Sequence, residues 1–301
     1  MSITQYIKEI GRGKDGARSL TRAQATDLFG QVLDGTVSDV ELGAFCLAMR
    51  IKGETPEEMA GFLDATHQRL HLVPAGDKPV VVIPSYNGAR KLPVLTPLLA
   101  LLLARQGLSV LVHGTATESS RVDASKVLAA LDIHPQTAIQ PIAIGEVMFA
   151  PTALLCPGLQ RLLEVRRVVG LRNPGHSLVK LMNPVAGKSL IVSSYTHPEY
   201  AISMAAVFEL MQANALLLRG TEGEAVADAR RMPQMDGFVA GRRQRLQEAQ
   251  SGTLAALPDL PKAIDAATTA DYIRAVLAGT TPVPASIALQ VAHIVQLASQ
   301  L

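Results

Sequence analysis

The chain has no tryptophan, five tyrosines and six phenylalanines among 301 residues. So few rings disfavour a stacking platform for exposed bases, which relies on successive aromatic side chains. Cys46 and Cys156 are its only two cysteines, each in apolar surroundings. They make neither a disulfide framework nor a zinc spacing, and such thiols fit a reducing compartment. No apolar run reaches the roughly 18 residues that a membrane-spanning helix needs; the best candidate follows Pro97 and stops at Arg105. The opening MSITQYIKEIGRGK lacks the apolar core of a signal peptide. A cytoplasmic protein without a membrane partner is expected. Walker and dinucleotide glycine patterns are missing too: GRGKDG at 11–16 has no preceding strand and reads as a basic turn. Helix-turn-helix, zinc-finger and basic-zipper patterns are equally absent.

What is present describes a globular chain, 48% hydrophobic and 18% charged, long enough for two domains or one large α/β unit. The first seventy residues predict helices. Thr21 with Gln24, Ser38 with Glu41, and Thr55 with Glu58 fit the reciprocal capping pattern ahead of apolar faces of period near 3.6. From Val80 the pattern changes to short apolar runs between helical stretches, as an α/β domain requires. VVVIP at 80–84, SVLVHG at 109–114, IVSS at 191–194 and ALLLRG at 215–220 predict buried strands. Helices are predicted over 97–105, 199–211, 269–277 and 285–298, and the last seventy residues open with a polar stretch.

Residues 20–66, with the IKGET segment, resemble the N-terminal helical domain of anthranilate phosphoribosyltransferase and the related pyrimidine nucleoside phosphorylases. VHG with Ser119 and Ser120, VLAALDI, VGLRN around Arg172 and LMNP at 181–184 continue that resemblance in order. It implies an α/β fold with a small all-α domain, of the nucleoside phosphorylase/phosphoribosyltransferase type. The helical domain, 1–75, is completed by a segment near 173–188 and followed by an α/β domain over 76–301. Homodimerisation through the helical part is implied as well. YIKEIGRGKDGAR at 6–18, IPSYNGARK at 83–91, LTPLLA at 95–100, THPEY at 196–200 and RGTEGE at 219–224 resemble more closely the YbiB-type, DNA-binding branch of that superfamily. That resemblance implies a dimer binding DNA or RNA with little sequence preference.

Phosphoribosyl transfer needs a pyrophosphate cradle, cationic or amide donors and acidic ligands for Mg²⁺. The family's enzymes build the cradle from GTGGD, where this chain has PSYNGARK. Pro84 offers no N–H, Tyr86 fills space, and Gly88 alone remains as a turn glycine. Val112 and Thr115 replace a lysine and an asparagine of the family pattern, and GTEGE holds Glu222 and Glu224 without an adjacent acidic pair. The expected remnant of the cleft comprises Ser85, Asn87, Gly88, His113, Gly114, Ser119, Ser120, Glu222 and Glu224. No catalytic residue, metal ligand or cofactor is expected, Mg²⁺ entering only if the chain is a transferase.

Duplex binding needs basic groups gathered on a surface, because affinity comes mainly from phosphate neutralisation. The formal charge of +2 averages over such gatherings. Arg161, Arg166, Arg167, Arg172, Lys180 and Lys188 face one acidic residue, Glu164, a local +5; the 78–126 stretch, with Arg90, Lys91, Arg121 and Lys126, carries +4. Lys8, Arg12, Lys14 and Arg18 make a further stretch, offset by Glu9 and Asp15. The leading expectation is nucleic-acid binding through these residues, with Arg90, Arg121 and Arg172 converging on one cleft. Its alternatives are a phosphoribosyltransferase or nucleoside phosphorylase acting on a small substrate, and an interaction protein taking a phosphorylated effector.

Overall fold

Thr21, Ser38 and Thr55 each close a reciprocal capping box, accepting from the backbone N–H of Gln24, Glu41 and Glu58 while those side chains accept from the cap's own N–H. Two orphan donors are thereby satisfied at each helix start. A computed structural model describes residues 2–13, 15–253 and 257–301. In chain order come helices α1 (Thr4–Ile10), α2 (Arg22–Asp34), α3 (Asp39–Lys52) and α4 (Pro56–His67). Strands β1 (Val73–Pro74) and β2 (Val80–Ser85), helix α5 (Thr96–Arg105), β3 (Ser109–Gly114), α6 (Ala124–Ala130) and β4 (Val147–Pro151) follow. Next are α7 (Thr152–Leu155), α8 (Pro157–Val169), α9 (Gly175–Leu178), β5 (Val185–Ala186), β6 (Ser189–Tyr195) and α10 (Pro198–Leu210). The chain ends with β7 (Ala215–Arg219), β8 (Met235–Val239), β9 (Arg242–Gln247), α11 (Ala266–Leu277) and α12 (Ala285–Ala298).

These elements form two compact units, Met1–His71 with Thr152–Pro184, and Leu72–Pro151 with Val185–Leu301. The first is helical. Phe29, Phe45 and Phe62 are fully buried in it, Phe29 stacked on Phe62 with ring centroids 4.6 Å apart and Phe45 set edge-on to both. Arg22 grips Asp64 in a two-point ion pair at 2.6 and 2.7 Å, fastening α2 to α4. Buried Glu58 accepts from Lys52 at 2.6 Å and from the N–H of Leu20, so the IKGET segment is pinned where α3 gives way to α4. The returning segment starts at Thr152, well before the 173 expected from sequence. The reason is α8, which packs on α2 and sends Arg161 Nη2 to the carbonyl of Leu33 at 2.7 Å.

In the second unit, among the described residues, a seven-stranded sheet has the order β4-β3-β2-β6-β7-β8-β9. Its first five strands are parallel; β8 and β9 run antiparallel. Val81, Ile83, Val110, Val112, Leu190, Val192, Leu216 and Leu218 alternate onto one face and pack in a single apolar core with residues of α5, α6, α11 and α12. Burial of β2, β3 and β6 along their whole length explains their continuous apolar runs. The stretch after Arg231, read from sequence as polar, instead holds β8 and β9. Arginine-rich β9 carries no apolar alternation because it is an edge strand, exposed over its first four residues.

Candidate functional site

The winding of the parallel sheet reverses at β2: β3 and β4 lie on one side of it, β6 and β7 on the other. Open α/β sheets bind ligands outside the carboxyl ends of strands at such a point. Two loops meet here, 85–92 following β2 and 220–227 following β7.

Glu224 fastens them. It is 2% exposed, and its Oε1 accepts the backbone N–H groups of Asn87 and Gly88, both at 2.9 Å. Its Oε2 accepts Ser85 Oγ at 2.5 Å and Thr96 Oγ1 at 2.9 Å. Glu222 continues the pattern, taking the N–H groups of Arg90 at 2.9 Å, Lys91 at 3.0 Å and Leu92 at 3.2 Å. Five backbone donors of one loop therefore end on two carboxylates of another. Successive N–H groups curled around an anion form a nest, the device that elsewhere holds phosphate.

The local backbone is shaped for this closure. Gly88 lies at φ +66°, and a Cβ there would come within 2.8 Å of the Val122 carbonyl oxygen. Gly223 lies at φ +91°, where a Cβ would fall 1.6 Å from Asn87 Nδ2. Glu222 itself adopts φ +53° without being glycine, a strained setting offset by its three N–H bonds. Ser194 of β6 adds a hydrogen bond from its Oγ to the Gly223 carbonyl at 3.0 Å.

Charge balance follows from the geometry. Partial burial pushes the Glu222 carboxyl up, but the N–H groups of Arg90, Lys91 and Leu92 and the Arg121 cation outweigh it and hold the group below the ordinary glutamate range. Burial raises the neighbouring Asp123, with Lys126 opposing and Glu224 adding to the rise. His113 is fully buried, its imidazole pushed down to about 3 by that burial. Its Nδ1 lies 2.9 Å from the Tyr86 hydroxyl, and Nε2 has no hydrogen-bond partner among the described residues. Its ring also packs edge-on against Tyr86, with centroids 5.5 Å apart.

The expected cleft residues Ser85, Asn87, Gly88, Glu222 and Glu224 are brought together, and Gly114 pairs with Ser85 in the β2–β3 register. Glu222 and Glu224 belong to the nest and do not fit a Mg²⁺ ion, since every carboxylate oxygen already faces N–H or O–H donors. Ser119 and Ser120 are exposed in the turn before Arg121. Thr96 and Ser194 were missed from sequence, as was the bond between Tyr86 and the expected His113; the hydroxyl of Thr96, isolated inside the apolar run VLTPLLA, was the available signal.

Arg90 and Lys91 are exposed and form no ion pair among the described residues, so their cations remain outside the nest that fixes their backbone. Arg121 is not free: it pairs with Glu118 at 3.0 Å and reaches the Gly88 carbonyl. Lys126 lies 3.7 Å from Asp123. Arg161, Arg166, Arg167, Arg172 and Lys180 belong to the helical unit, whereas Lys188 belongs to the other. Arg161 is tied to Leu33, Arg166, Arg172 and Lys180 are half-buried, and Arg167 and Lys188 are exposed. Lys8 is exposed, but Arg12 and Arg18 share Glu9 at 2.7 and 3.8 Å, and Lys14 lies outside the described residues. Burial pushes the thiol of Cys46 up to about 12 and raises that of Cys156, which removes both as reactive groups.

Residues 4–69 match the helical bundle domain of the glycosyl transferase family. The anthranilate phosphoribosyltransferase of Methanosarcina acetivorans is 33% identical over 232 residues, 72% of this chain and 59% of that enzyme. The Escherichia coli K12 protein YbiB is 41% identical over 299 residues, 97% of this chain and 93% of YbiB. The chain belongs to the same family as YbiB and is similar to the anthranilate phosphoribosyltransferases. Its fold agrees: the anthranilate phosphoribosyltransferase of Thermus thermophilus superposes with a TM-score of 0.74 at 23% identity, covering 95% of this chain and 85% of that one. Among the described residues no helix is long and apolar enough to cross a membrane.

Two outcomes test the carboxylate nest. Glu224→Ala strips the acceptor from two buried N–H groups and two hydroxyls, and is expected to cost about 3 kcal/mol in urea denaturation at neutral pH; a loss below about 1 kcal/mol would contradict its central role. Glu222 is held below its ordinary range only in the folded chain. The stability it contributes is present above the unfolded glutamate range and is lost as pH falls through the folded-state value. Glu222→Gln should therefore flatten the acid limb of a stability-against-pH curve, and an unchanged limb would contradict the N–H bonds.

Proposed function

We propose that this chain is a nucleic-acid-binding member of the family, with DNA or RNA held through backbone phosphates and little base readout. One observation carries the reading: the 85–92 loop has given its backbone donors to Glu222 and Glu224, while the side chains of Arg90 and Lys91 stay exposed, with no ion pair among the described residues. A nest already filled by two carboxylates opposes a pyrophosphate, whose charge would meet theirs at close range. Cations outside that nest are suited to phosphates that need not enter it. The scarcity of aromatic residues favours phosphate contact over base stacking.

Kinship by itself supports a second reading better, a phosphoribosyltransferase or another glycosyltransferase with a small substrate, since relatives of this chain are anthranilate phosphoribosyltransferases. That reading requires Glu222 and Glu224 to leave the loop so that substrate phosphates can take the same N–H groups.

A homodimer through the helical unit belongs to the same proposal. Val40, Leu47 and Ile51 are exposed on α3, spaced to lie on one stripe, and Val40 and Ile51 are 82% and 62% exposed. A second copy covering this stripe would set two sets of basic residues about a two-fold axis.

Fluorescence anisotropy with duplexes of several sequences, at varied salt, separates the two readings. Nucleic-acid binding predicts similar affinity across sequences and a steep negative slope of log K against log salt; Arg90→Ala with Lys91→Ala should flatten that slope by about 1.8, at about 0.9 for each phosphate no longer neutralised. Binding that ignores salt and duplex length sinks the proposal. Calorimetric heat with phosphoribosyl pyrophosphate and Mg²⁺ at micromolar affinity would establish the transferase reading in its place. For the dimer, light scattering should give twice the chain mass, and Ile51→Glu should reduce it to one; a wild-type monomer at micromolar concentration excludes the α3 contact.

A further inference from the structure

The two carboxylates of the nest leave a different charge pattern a short way along the chain. Beyond Glu224, the strip from Asp228 to Glu248 and the end of β7 hold Arg219, Arg230, Arg231, Arg242, Arg243 and Arg245 against Asp228, Asp236 and Glu248, a net +3. All six arginines are exposed. No lysine interrupts them, and the planar guanidinium fork is the side chain best matched to phosphate oxygens.

Internal contacts position three of these arginines through carboxylates and leave Arg219, Arg231 and Arg242 without an ion pair among the described residues. Asp236 is 1% exposed and serves two at once, Arg243 at 2.9 Å and Arg245 at 2.5 Å, and exposed Glu248 takes Arg245 as well at 2.7 Å. Arg231 is held by carbonyls, those of Gln250 at 3.2 Å and Gly252 at 3.0 Å, and keeps its whole charge. Arg219 ends β7 beside Tyr195 of β6, and it and Arg242 form no ion pair among the described residues. Arg230 pairs with Asp228 at 2.8 Å and also feels the charge of Glu222, which connects the strip to the loop carrying Arg90 and Lys91.

The strand geometry makes this a track and not a pocket. Residues two apart on β9 stand about 6.8 Å from each other on one face, so Arg243 and Arg245 form a row while Arg242 points to the opposite face. A row along an open sheet edge suits a linear polyanion better than a single small anion. We infer that the nucleic-acid surface of the α/β unit extends from Arg90 and Lys91 over the 228–234 loop to the arginine edge of β9, where phosphates of the same polymer are held. The inference rests on the nucleic-acid reading above.

Arg219→Gln, Arg231→Gln and Arg243→Gln together test it, because the first two form no ion pair among the described residues and Arg245 stays on Asp236 when Arg243 is changed. Anisotropy with a 30-base-pair duplex at low salt should show on the order of tenfold weaker binding and a salt slope flattened by about 0.9 for each phosphate released from an arginine, with the melting temperature unchanged. Lysine at the same three positions should restore most of the affinity. If wild type binds and Arg90→Ala with Lys91→Ala weakens it, while the triple variant binds as wild type does, the extension is wrong and β9's arginines serve only to keep the sheet edge from pairing. Competition by polyglutamate equal to that by duplex at matched charge would also overturn it, in favour of an acidic protein partner. Absence of salt-dependent binding by wild type would remove the nucleic-acid reading itself.

Discussion

A carboxylate buried between two loops is the constraint on which the site depends. An ionised group taken out of water is tolerated only when its lone pairs are met, and Glu224 meets that condition with two backbone N–H groups and two hydroxyls. Those four donors cannot be supplied by any local segment. Ser85 ends β2, Asn87 and Gly88 turn away from it, and Thr96 opens α5, so satisfying one glutamate fixes the exit of a strand, the following turn and the start of a helix relative to the end of β7. Glu222 then orders three further residues of the same loop. The inserted β6 adds Ser194, so the three neighbouring strands β2, β6 and β7 all contribute to one clamp.

That clamp changes what the inherited scaffold offers. A switch point with a curled loop of N–H groups is a general anion site, and its occupant here is part of the chain. Concentration decides such a contest. An internal carboxylate competes at the high effective concentration of an intramolecular ligand, so a free phosphate must bind the nest far more strongly to displace it. Family membership therefore fixes the architecture, while the identity of the anion in the nest decides which chemistry the architecture can host.

Much of the fold was legible in the sequence because its signals are local. The capping pairs at Thr21, Ser38 and Thr55 lie three residues apart, and VVVIP and SVLVHG read as buried strands without knowledge of their neighbours. The destination of Glu224 was not legible: its partners Gly88 and Ser85 lie 136 and 139 residues away, and GTEGE looks the same whether it faces a metal, water or a loop. The basic residues failed for a similar reason. Counting charge along 78–126 assigned Arg121 the same weight as Arg90, yet Glu118 takes the first and no carboxylate among the described residues pairs with the second. On β9, edge exposure erased the alternation by which a strand is recognised, so the arginines there were passed over as a polar stretch.

The near-neutral formal charge can now be apportioned by place. Glu222, Glu224 and Asp236 count as three negative charges in the total of +2, and the latter two are almost wholly buried. Each spends its charge on donors within the chain: backbone amides and hydroxyls for the glutamates, two guanidinium groups for the aspartate. Amide donors carry no net charge, so the nest absorbs two negative charges without removing any cation from the surface. Around the 85–92 loop the side chains of Arg90 and Lys91 are exposed, while Glu224 is buried and Glu222 half-buried. The separation of the two signs, more than their sum, determines the field outside the protein.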